Sequence, residues 1–321
     1  SPMCEPLFSE RSYGFRPNRS CGMAVREMLV FLNEGYEWIV DIDLEKFFDN
    51  VPQDKLMSLV HDIVNDGDTE SLIRKYLKAG VMVEGRYEET DRGTPQGGNL
   101  SPLLSNIMLN ELDKELEKRG LRFVRYADDC VIAVRSEASA KRVMNSITDW
   151  IERKLGLKVN VEKTRITRPG RLKYLGFGFY KDPKVKEWMC RPHRDSVEKF
   201  KRTIKKLTSR SQSMTFAMRV QRLNWTIRGW INYFAIGSMK TVMNDIDAHL
   251  RTRLRVIIWK QWKVPKKRQW GLQKLGIGKG LARKTSYMGD HYQWIVTKTC
   301  VVRAISKEKL SWTGFGLLTS L

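Results

Sequence analysis

The sequence predicts an α+β fold in which strands and helices alternate over about the first 190 residues and only helices follow. Short strand-like patterns separated by amphipathic stretches continue up to a last hairpin at 172–179. Beyond Pro192, apolar residues recur only at helical spacing. Because 321 residues exceed the usual size of one domain and 41% of them are hydrophobic, two packed cores are expected.

One predicted hairpin carries two acids at its tip. Tyr126-Ala127-Asp128-Asp129 lies between two short apolar runs, and hairpin tips often carry Asp merely to make the turn. Upstream, residues 38–44 alternate strictly, which places Asp41 and Asp43 on one sheet face and the apolar residues on the other. A second strand that presents carboxylates is therefore available.

Two strands that each present carboxylates predict an oxygen-rich site of the kind that Mg²⁺ prefers, completed by phosphates and water. Two ions about 4 Å apart can activate an attacking hydroxyl and stabilise a leaving pyrophosphate. This chemistry is typical of a polymerase palm.

The other elements follow in chain order. A loop at 12–17 leads to a helix capped near Ser20, the segment from Pro52 to Lys78 is helical in pattern, and 81–90 predicts a hairpin that turns at Glu84-Gly85. A glycine-rich loop at 93–99 precedes a helix with Ser101 as N-cap and Pro102 as first residue. A helix over about 137–155 and a strand around 158–166 complete the region.

Three amphipathic helices are predicted after Pro192. Their apolar stripes are short and separated by polar turns, which favours a bundle over a coiled coil. From about Trp262, basic residues and glycines predict a linker into a small tail. The stripes are Val197, Phe200, Ile204 and Leu207; Phe216, Val220, Leu223, Ile227, Trp230 and Phe234; and Met243, Ile246, Leu250, Leu254 and Ile257.

The net charge of +22 is unevenly distributed. Residues 191–290 hold 24 Lys and Arg against 5 Asp and Glu, which indicates a polyanion-binding region, with a solvated basic face as the alternative. Five scattered cysteines and four histidines lack metal-ligand spacing, so a reduced cytoplasmic chain without zinc is expected. No apolar run reaches the roughly 18 to 20 residues of a membrane span.

Several short motifs follow one another in a specific order. They are 12–17 (SYGFRP), 43–49 (DLEKFFD), 93–98 (GTPQGG), 126–129 (YADD), 160–164 (NVEKT), 174–177 (YLGF), 228–234 (RGWINYF) and 259–263 (WKQWK). Together they resemble the group II intron-encoded reverse transcriptase/maturase family of bacteria and organelles. The resemblance implies a right-hand polymerase palm with partial fingers, followed by an all-helical thumb or maturase domain. Its boundaries would be fingers at 1–36, palm at 37–190, thumb at 191–262 and a basic, DNA-binding extension at 263–321.

The resemblance also implies roles for individual residues. Asp43, rather than the runner-up Asp41, would form the catalytic, metal-binding set for two Mg²⁺ ions together with Asp128 and Asp129, and Asp129 would also support charge or primer placement. Phe48 would exclude a ribose 2′-hydroxyl, although Phe47 and Phe48 could equally be core aromatics. The other expected contacts are Gln96, Gly97 and Lys163 to the nucleotide, and Tyr174, Gly176, Arg228, Arg251, Arg253 and Arg255 to nucleic acid.

The expected activity is RNA-directed DNA polymerisation that copies intron RNA from a DNA primer with deoxynucleoside triphosphates. The alternative is a maturase that binds intron RNA for splicing without polymerising. A palm-containing RNA-dependent RNA polymerase is disfavoured by Phe48. Family members carry fingers before the SYGFRP motif, so the resemblance implies a truncated chain whose own polymerisation is open. A cytoplasmic, nucleoid or organellar location and a dimeric state are compatible with it.

Overall fold

The computed structural model describes residues 2–83, 86–88, 91–95, 97–209, 211–289 and 291–311. It divides into two compact units, Ser1–Cys190 and Arg191–Leu321. The first is a mixed helix and sheet unit and the second is helical, so the predicted α+β class is confirmed. The finer division into fingers, palm, thumb and extension stays a prediction.

The first unit contains six α-helices and nine strands among the described residues. They are α1 (Cys21–Asn33), β1 (Trp38–Ile42), α2 (Phe47–Asn50), α3 (Gln53–Val64), α4 (Gly67–Leu77), β2 (Val81–Val83), β3 (Arg86–Glu88), α5 (Ser101–Lys118), β4 (Arg122–Tyr126), β5 (Asp129–Val134), α6 (Glu137–Trp150), β6 (Arg165–Thr167), β7 (Lys173–Tyr174), β8 (Phe177–Lys181) and β9 (Trp188–Pro192).

The main sheet has the strand order β4-β5-β1-β6, and every pair in it is antiparallel. Val40 and Ile42 of β1 and Ile132 of β5 are buried on one face, as the alternation at 38–44 predicts. They pack in one core with residues of α3, α5 and α6. A second sheet has the order β7-β8-β9.

Helix boundaries in the first unit follow local chemistry. The Ser20 hydroxyl accepts from the Met23 amide and caps α1 as predicted. The segment from Pro52 to Lys78 is helical as predicted, but it forms two helices: Asn65 takes a left-handed φ of 46° after α3, and Asp66 then caps α4. Ser101 is the first residue of α5 rather than its N-cap, because its hydroxyl donates to the Pro95 carbonyl at 2.6 Å.

Two of the predicted strand regions have different outcomes. The hairpin at 81–90 is confirmed in β2 and β3, although Glu84 and Gly85 lie outside the described residues. The strand predicted at 158–166 is wrong over most of its length. There the chain forms one bridge, between Val159 and Leu44, and enters the sheet only at β6.

The second unit consists of eight described helices. The three predicted apolar stripes are confirmed, because their residues are buried in or packed against a single core in α7, α8 and α9. The predicted linker and tail after Trp262 are wrong, since Leu272, Ala282, Val301 and Leu310 are buried in that same core. The helices are α7 (Arg194–Leu207), α8 (Phe216–Phe234), α9 (Lys240–Gln261), α10 (Pro265–Lys274), α11 (Lys279–Ser286), α12 (Tyr292–Ile295), α13 (Thr299–Ala304) and α14 (Lys307–Ser311).

Two further observations concern the cysteines and the helices. All five cysteines are free thiols. Within the part of the chain that the structure describes, no helix is both long enough and apolar enough to cross a lipid bilayer.

Candidate active site

The hairpin of β4 and β5 presents its acids as predicted. Tyr126 pairs with Asp129, so Ala127 and Asp128 form a two-residue turn. Ala127 has a left-handed φ of 56°, a conformation that tight hairpin turns require and that alanine rarely adopts. Asp128 therefore lies at the tip, and Asp129 begins β5.

The second carboxylate strand lies beside this hairpin. Strand β1 pairs with β5, with Asp41 opposite Val131, so Asp43 follows the end of β1 near the turn. The Asp43 backbone is held on both sides: its amide donates to the Thr164 hydroxyl at 3.2 Å, and its carbonyl accepts from the Asn160 amide at 2.8 Å. The segment at 160–164 thus fixes the backbone of the predicted metal ligand.

The four acids influence one another electrostatically. Asp129 is exposed by accessible area, yet surrounding protein atoms, followed by the charges of Asp128, Asp41 and Asp43, raise its pKa to about 6. Burial also raises the pKa of Asp41, although Arg165, whose Nε lies 3.3 Å from its carboxylate, opposes this. A carboxyl whose charged form is disfavoured by neighbouring negative charges, as at Asp129, marks a place where a cation is favoured.

One lysine reaches this acidic group. Lys163 Nζ lies 3.6 Å from the Asp43 carboxylate, and its side chain is 67% exposed, so its ammonium group remains accessible to solvent. Among the described residues, no three His, Cys, Asp or Glu side chains stand at metal-ligand spacing. The donor set is the one that Mg²⁺ prefers, and binding would require its carboxylates to converge further.

The aromatic pair on α2 separates into two environments. Phe47 is buried in the core, whereas Phe48 is only partly buried, and the two rings meet edge to face at 5.3 Å. Lys46, before the helix, has a left-handed φ of 42°. Only Phe48 of the pair is therefore exposed enough to contact a substrate, as the predicted sugar contact requires.

The glycine-rich loop is attached to α2. The Thr94 amide donates to the Phe48 carbonyl at 2.7 Å. Gly93 has a φ of 85°, and a Cβ there would lie 2.7 Å from the same carbonyl oxygen, so only glycine fits. Gly97 is exposed with open space around it, and Gln96 lies outside the described residues.

The prediction that the Tyr174 side chain contacts the primer is wrong. The ring is 2% exposed, and its hydroxyl donates to the Val124 carbonyl of β4 at 3.5 Å. Gly176 is partly exposed in the turn between β7 and β8, with a φ of 79°. Its predicted nucleic-acid contact stays a prediction.

All three arginines that were predicted to contact nucleic acid from α9 have partners within the protein, but only the prediction for Arg255 is wrong; Arg251 and Arg253 are partly exposed, and their contacts stay predictions. Arg255 is buried and donates to the Ile305 carbonyl at 2.9 Å, so it does not present a surface charge. Arg253 donates to the hydroxyl and carbonyl of Thr208 at the end of α7, and Arg251 pairs with buried Asp247 one turn away. Helical spacing turns the three side chains in different directions, and each has its partner within its own unit.

Arg228 is exposed on α8, as its predicted role requires. Arg222 and Trp225 are exposed on the same helix, and Trp225 keeps 64% of its surface accessible. Residues three apart on a helix are neighbours, so these three side chains form one basic and aromatic stripe. Neither Arg222 nor Trp225 was predicted from the sequence.

A buried polar network under the hairpin turn was also not predicted. Arg125 and Asp113 are fully buried and form two parallel hydrogen bonds of 2.7 and 2.5 Å. Arg125 Nη1 also donates to the Asn106 side-chain oxygen at 3.0 Å and to the Ala127 carbonyl at 2.9 Å. A charged residue inside the apolar strand β4 was the available signal.

The fold and these acids define the class: a nucleotidyl-transferring polymerase palm followed by a helical unit. Residues 1–179 match the family model described as reverse transcriptase (RNA-dependent DNA polymerase), and residues 197–276 match the group II intron maturase-specific domain. The chain therefore belongs to the reverse transcriptase family, and its helical unit contains a region similar to the group II intron maturase-specific domain.

Curated relatives agree with this assignment. The group II intron-encoded protein LtrA of Lactococcus lactis subsp. cremoris is 31% identical, over 54% of this chain and 40% of its own length. Protein YkfC of Escherichia coli K12 is 32% identical, over 51% of this chain and 53% of its own. The chain thus spans about half or less of the length of these relatives.

Among solved structures, telomerase of Candida tropicalis is 13% identical, with a TM-score of 0.47, over 95% of this chain and 57% of its own length.

Proposed function

We propose that this protein is an RNA-directed DNA polymerase that copies group II intron RNA from a DNA primer and binds the same RNA as a maturase. The observation that supports it most is the acidic group of Asp43, Asp128 and Asp129, which lies at the ends of two adjacent strands and includes an acid with a raised pKa. RNA binding alone does not require such a group.

Asp43 and Asp128 would hold two Mg²⁺ ions, which when bound activate the primer hydroxyl and neutralise the leaving pyrophosphate. Asp129 would be the third carboxylate of this set. Lys163, beside Asp43, is placed to neutralise or protonate a departing phosphate. Phe48 and the glycine-rich loop would contact the nucleotide together, since the hydrogen bond from the Thr94 amide to the Phe48 carbonyl holds them side by side.

Divalent cation binding should depend on pH because Asp129 must lose its proton. Its raised pKa of about 6 means that the carboxyl is protonated below that pH in the folded protein. We expect Mn²⁺ affinity to rise by up to about tenfold per pH unit below pH 6 and to level off above it. Titration from pH 5 to 8 measures this, with Asp129→Asn as the variant that should lose the dependence. An equally steep rise in Asp129→Asn would assign the proton to another group.

Replacing Phe48 with Val should increase ribonucleotide incorporation relative to deoxyribonucleotide. The smaller side chain leaves space for the 2′-hydroxyl that the ring is proposed to exclude, and such steric discrimination is worth about 1–3 kcal/mol, or roughly 10- to 200-fold. Primer extension with competing nucleotides measures the ratio. Phe47→Leu is the matched control, since that ring is buried. Unchanged discrimination in active Phe48→Val would remove Phe48 from the nucleotide site.

The stripe of Arg222, Trp225 and Arg228 is the best-supported RNA surface on the second unit. Arginines that bind phosphates release counterions, so removing each such arginine should reduce the salt slope of binding by roughly 0.7 to 0.9. Trp225 would stack on an unpaired base. We expect Arg222→Gln/Arg228→Gln to lower both RNA affinity and slope. Lys141→Gln, an exposed lysine of the first unit, is the control. An unchanged slope in the double variant favours a merely solvated basic face.

The second candidate is a maturase without polymerase activity, which the match of residues 197–276 to the maturase-specific domain favours. Primer extension on an RNA template by the full-length protein decides between the two. Extension that disappears in Asp128→Asn while RNA binding persists supports the polymerase. If the protein accelerates splicing of the intron RNA but does not extend a primer, the result supports the maturase alone.

A further inference from the structure

The hairpin turn that carries Asp128 is held from below by buried side chains. Arg125 is the centre of this arrangement: one edge of its guanidinium is clamped by Asp113, and the other edge donates to the Ala127 carbonyl. Burial lowers the pKa of Arg125, but the adjacent Asp113 carboxylate raises it above its ordinary value, so the guanidinium stays charged. A charged donor makes a stronger hydrogen bond to the turn than a neutral one.

The SYGFRP loop holds the same turn from the other side. Asn106, which accepts from Arg125, also donates its amide to the Gly14 carbonyl at 2.9 Å. Gly14 lies so close to the turn that a Cβ on it would stand 2.1 Å from the Ala127 nitrogen. Two backbone hydrogen bonds reinforce this contact. The Tyr13 amide donates to the Arg125 carbonyl at 2.9 Å, and the Arg125 amide donates to the Arg11 carbonyl at 3.0 Å.

These contacts oppose a conformational cost. Ala127 is buried in the left-handed region, which costs energy for any residue with a Cβ and persists only where the surroundings impose it. Its carbonyl is held by Arg125, and its amide side is packed against Gly14. Asp128, the next residue, therefore leaves the turn in one direction.

We propose that Arg125, Asn106 and Gly14 are positioning residues that hold Ala127 in this conformation and thereby direct the Asp128 carboxylate toward the catalytic cations. The inference rests on the proposed polymerase function. Gly14 of the SYGFRP loop and Arg125, just before the YADD tetrapeptide, would thus both hold the turn at Ala127. A merely fold-stabilising ion pair would also bury Arg125 and Asp113, but it would not need the bond to Ala127 or the close approach of Gly14.

The double variant Asp113→Leu/Arg125→Met separates the two roles in the full-length protein. It removes the hold on Ala127 without leaving a buried charge unpaired, so the fold should persist. Because displacing a reacting group by about 1 Å can cost roughly 100-fold, we expect a loss of that order in kcat, with little change in KM for the nucleotide. Bound Mn²⁺, followed by electron paramagnetic resonance, should weaken in parallel. Ile147→Val, a buried change in α6, is the matched control and should alter neither quantity.

A folded double variant with wild-type kcat and Mn²⁺ affinity would overturn the inference. Should the double variant fail to fold, Gly14→Ala carries the same test, because its methyl group must displace the Ala127 backbone: wild-type kcat and Mn²⁺ binding in folded Gly14→Ala overturn the inference as well. Failure of the proposed function would give a different result. The wild-type protein itself would then not extend a primer, and Asp128→Asn would change nothing.

Discussion

Replacing Asp128 with Asn should reduce primer extension at least about a thousandfold, which corresponds to about 4 kcal/mol of transition-state stabilisation. Asp43→Asn should have a comparable effect. Both substitutions keep the size of the side chain and remove a negatively charged metal ligand at the ends of β5 and β1. Single-turnover extension of a DNA primer on an RNA template measures the decrease, and RNA affinity should hardly change.

Asp41→Asn is the matched control for these variants. Asp41 lies within β1, two residues before Asp43, and its carboxylate pairs with Arg165. Its replacement should therefore have a much milder effect. Near-normal extension by Asp128→Asn or Asp43→Asn would refute the assigned site, and a decrease in Asp41→Asn as large as in Asp43→Asn would make Asp41 a ligand.

The second large effect is expected on stability. Arg125→Met leaves the Asp113 carboxylate buried without its partner, which should lower the free energy of unfolding by about 3–5 kcal/mol. Asp113→Leu should cost a similar amount. The double variant should recover most of this stability, because it removes both charges. Urea or thermal unfolding of the four proteins gives the coupling free energy directly.

Arg119→Met provides the comparison at the surface. Arg119 pairs with Glu115 at 2.7 Å, one turn apart on the same face of α5, and its side chain is 30% exposed. Exposed pairs of this kind contribute less than about 1 kcal/mol. If Arg125→Met destabilises no more than Arg119→Met, the buried pair is not the structural centre that its geometry indicates.

Several parts of the fold could be predicted from the sequence because they depend on local periodicity. The alternation at 38–44 places Val40 and Ile42 in the core and the acids on the other face. Four-residue spacing predicts the buried side of α5, and the three stripes after Pro192 predict α7, α8 and α9. The turn at Ala127-Asp128 is likewise local, since two apolar runs separated by acids leave little choice of hairpin.

Predictions failed where a distant segment decides the environment of a residue. Nothing near Tyr174 in sequence indicates that its hydroxyl reaches Val124, fifty residues away. Arg255 is buried and donates to the carbonyl of Ile305, fifty residues away. The helices after Trp262 join the core through Leu272 and Leu310, and this packing also depends on residues that are distant in sequence.

By itself, then, the sequence determined the element types, the two carboxylate strands and the order of the motifs, because period and spacing are properties of adjacent residues. Only the tertiary structure decided which charges share one environment. The pKa of Asp129 is raised by surrounding atoms and by nearby acids, two of which come from β1 and its end. Lys163 lies beside Asp43 although the two are distant in sequence. Arg125 supports Ala127 because Asp113 on α5 holds its guanidinium in place. Electrostatic interaction depends on distance in space, and folding alone sets that distance.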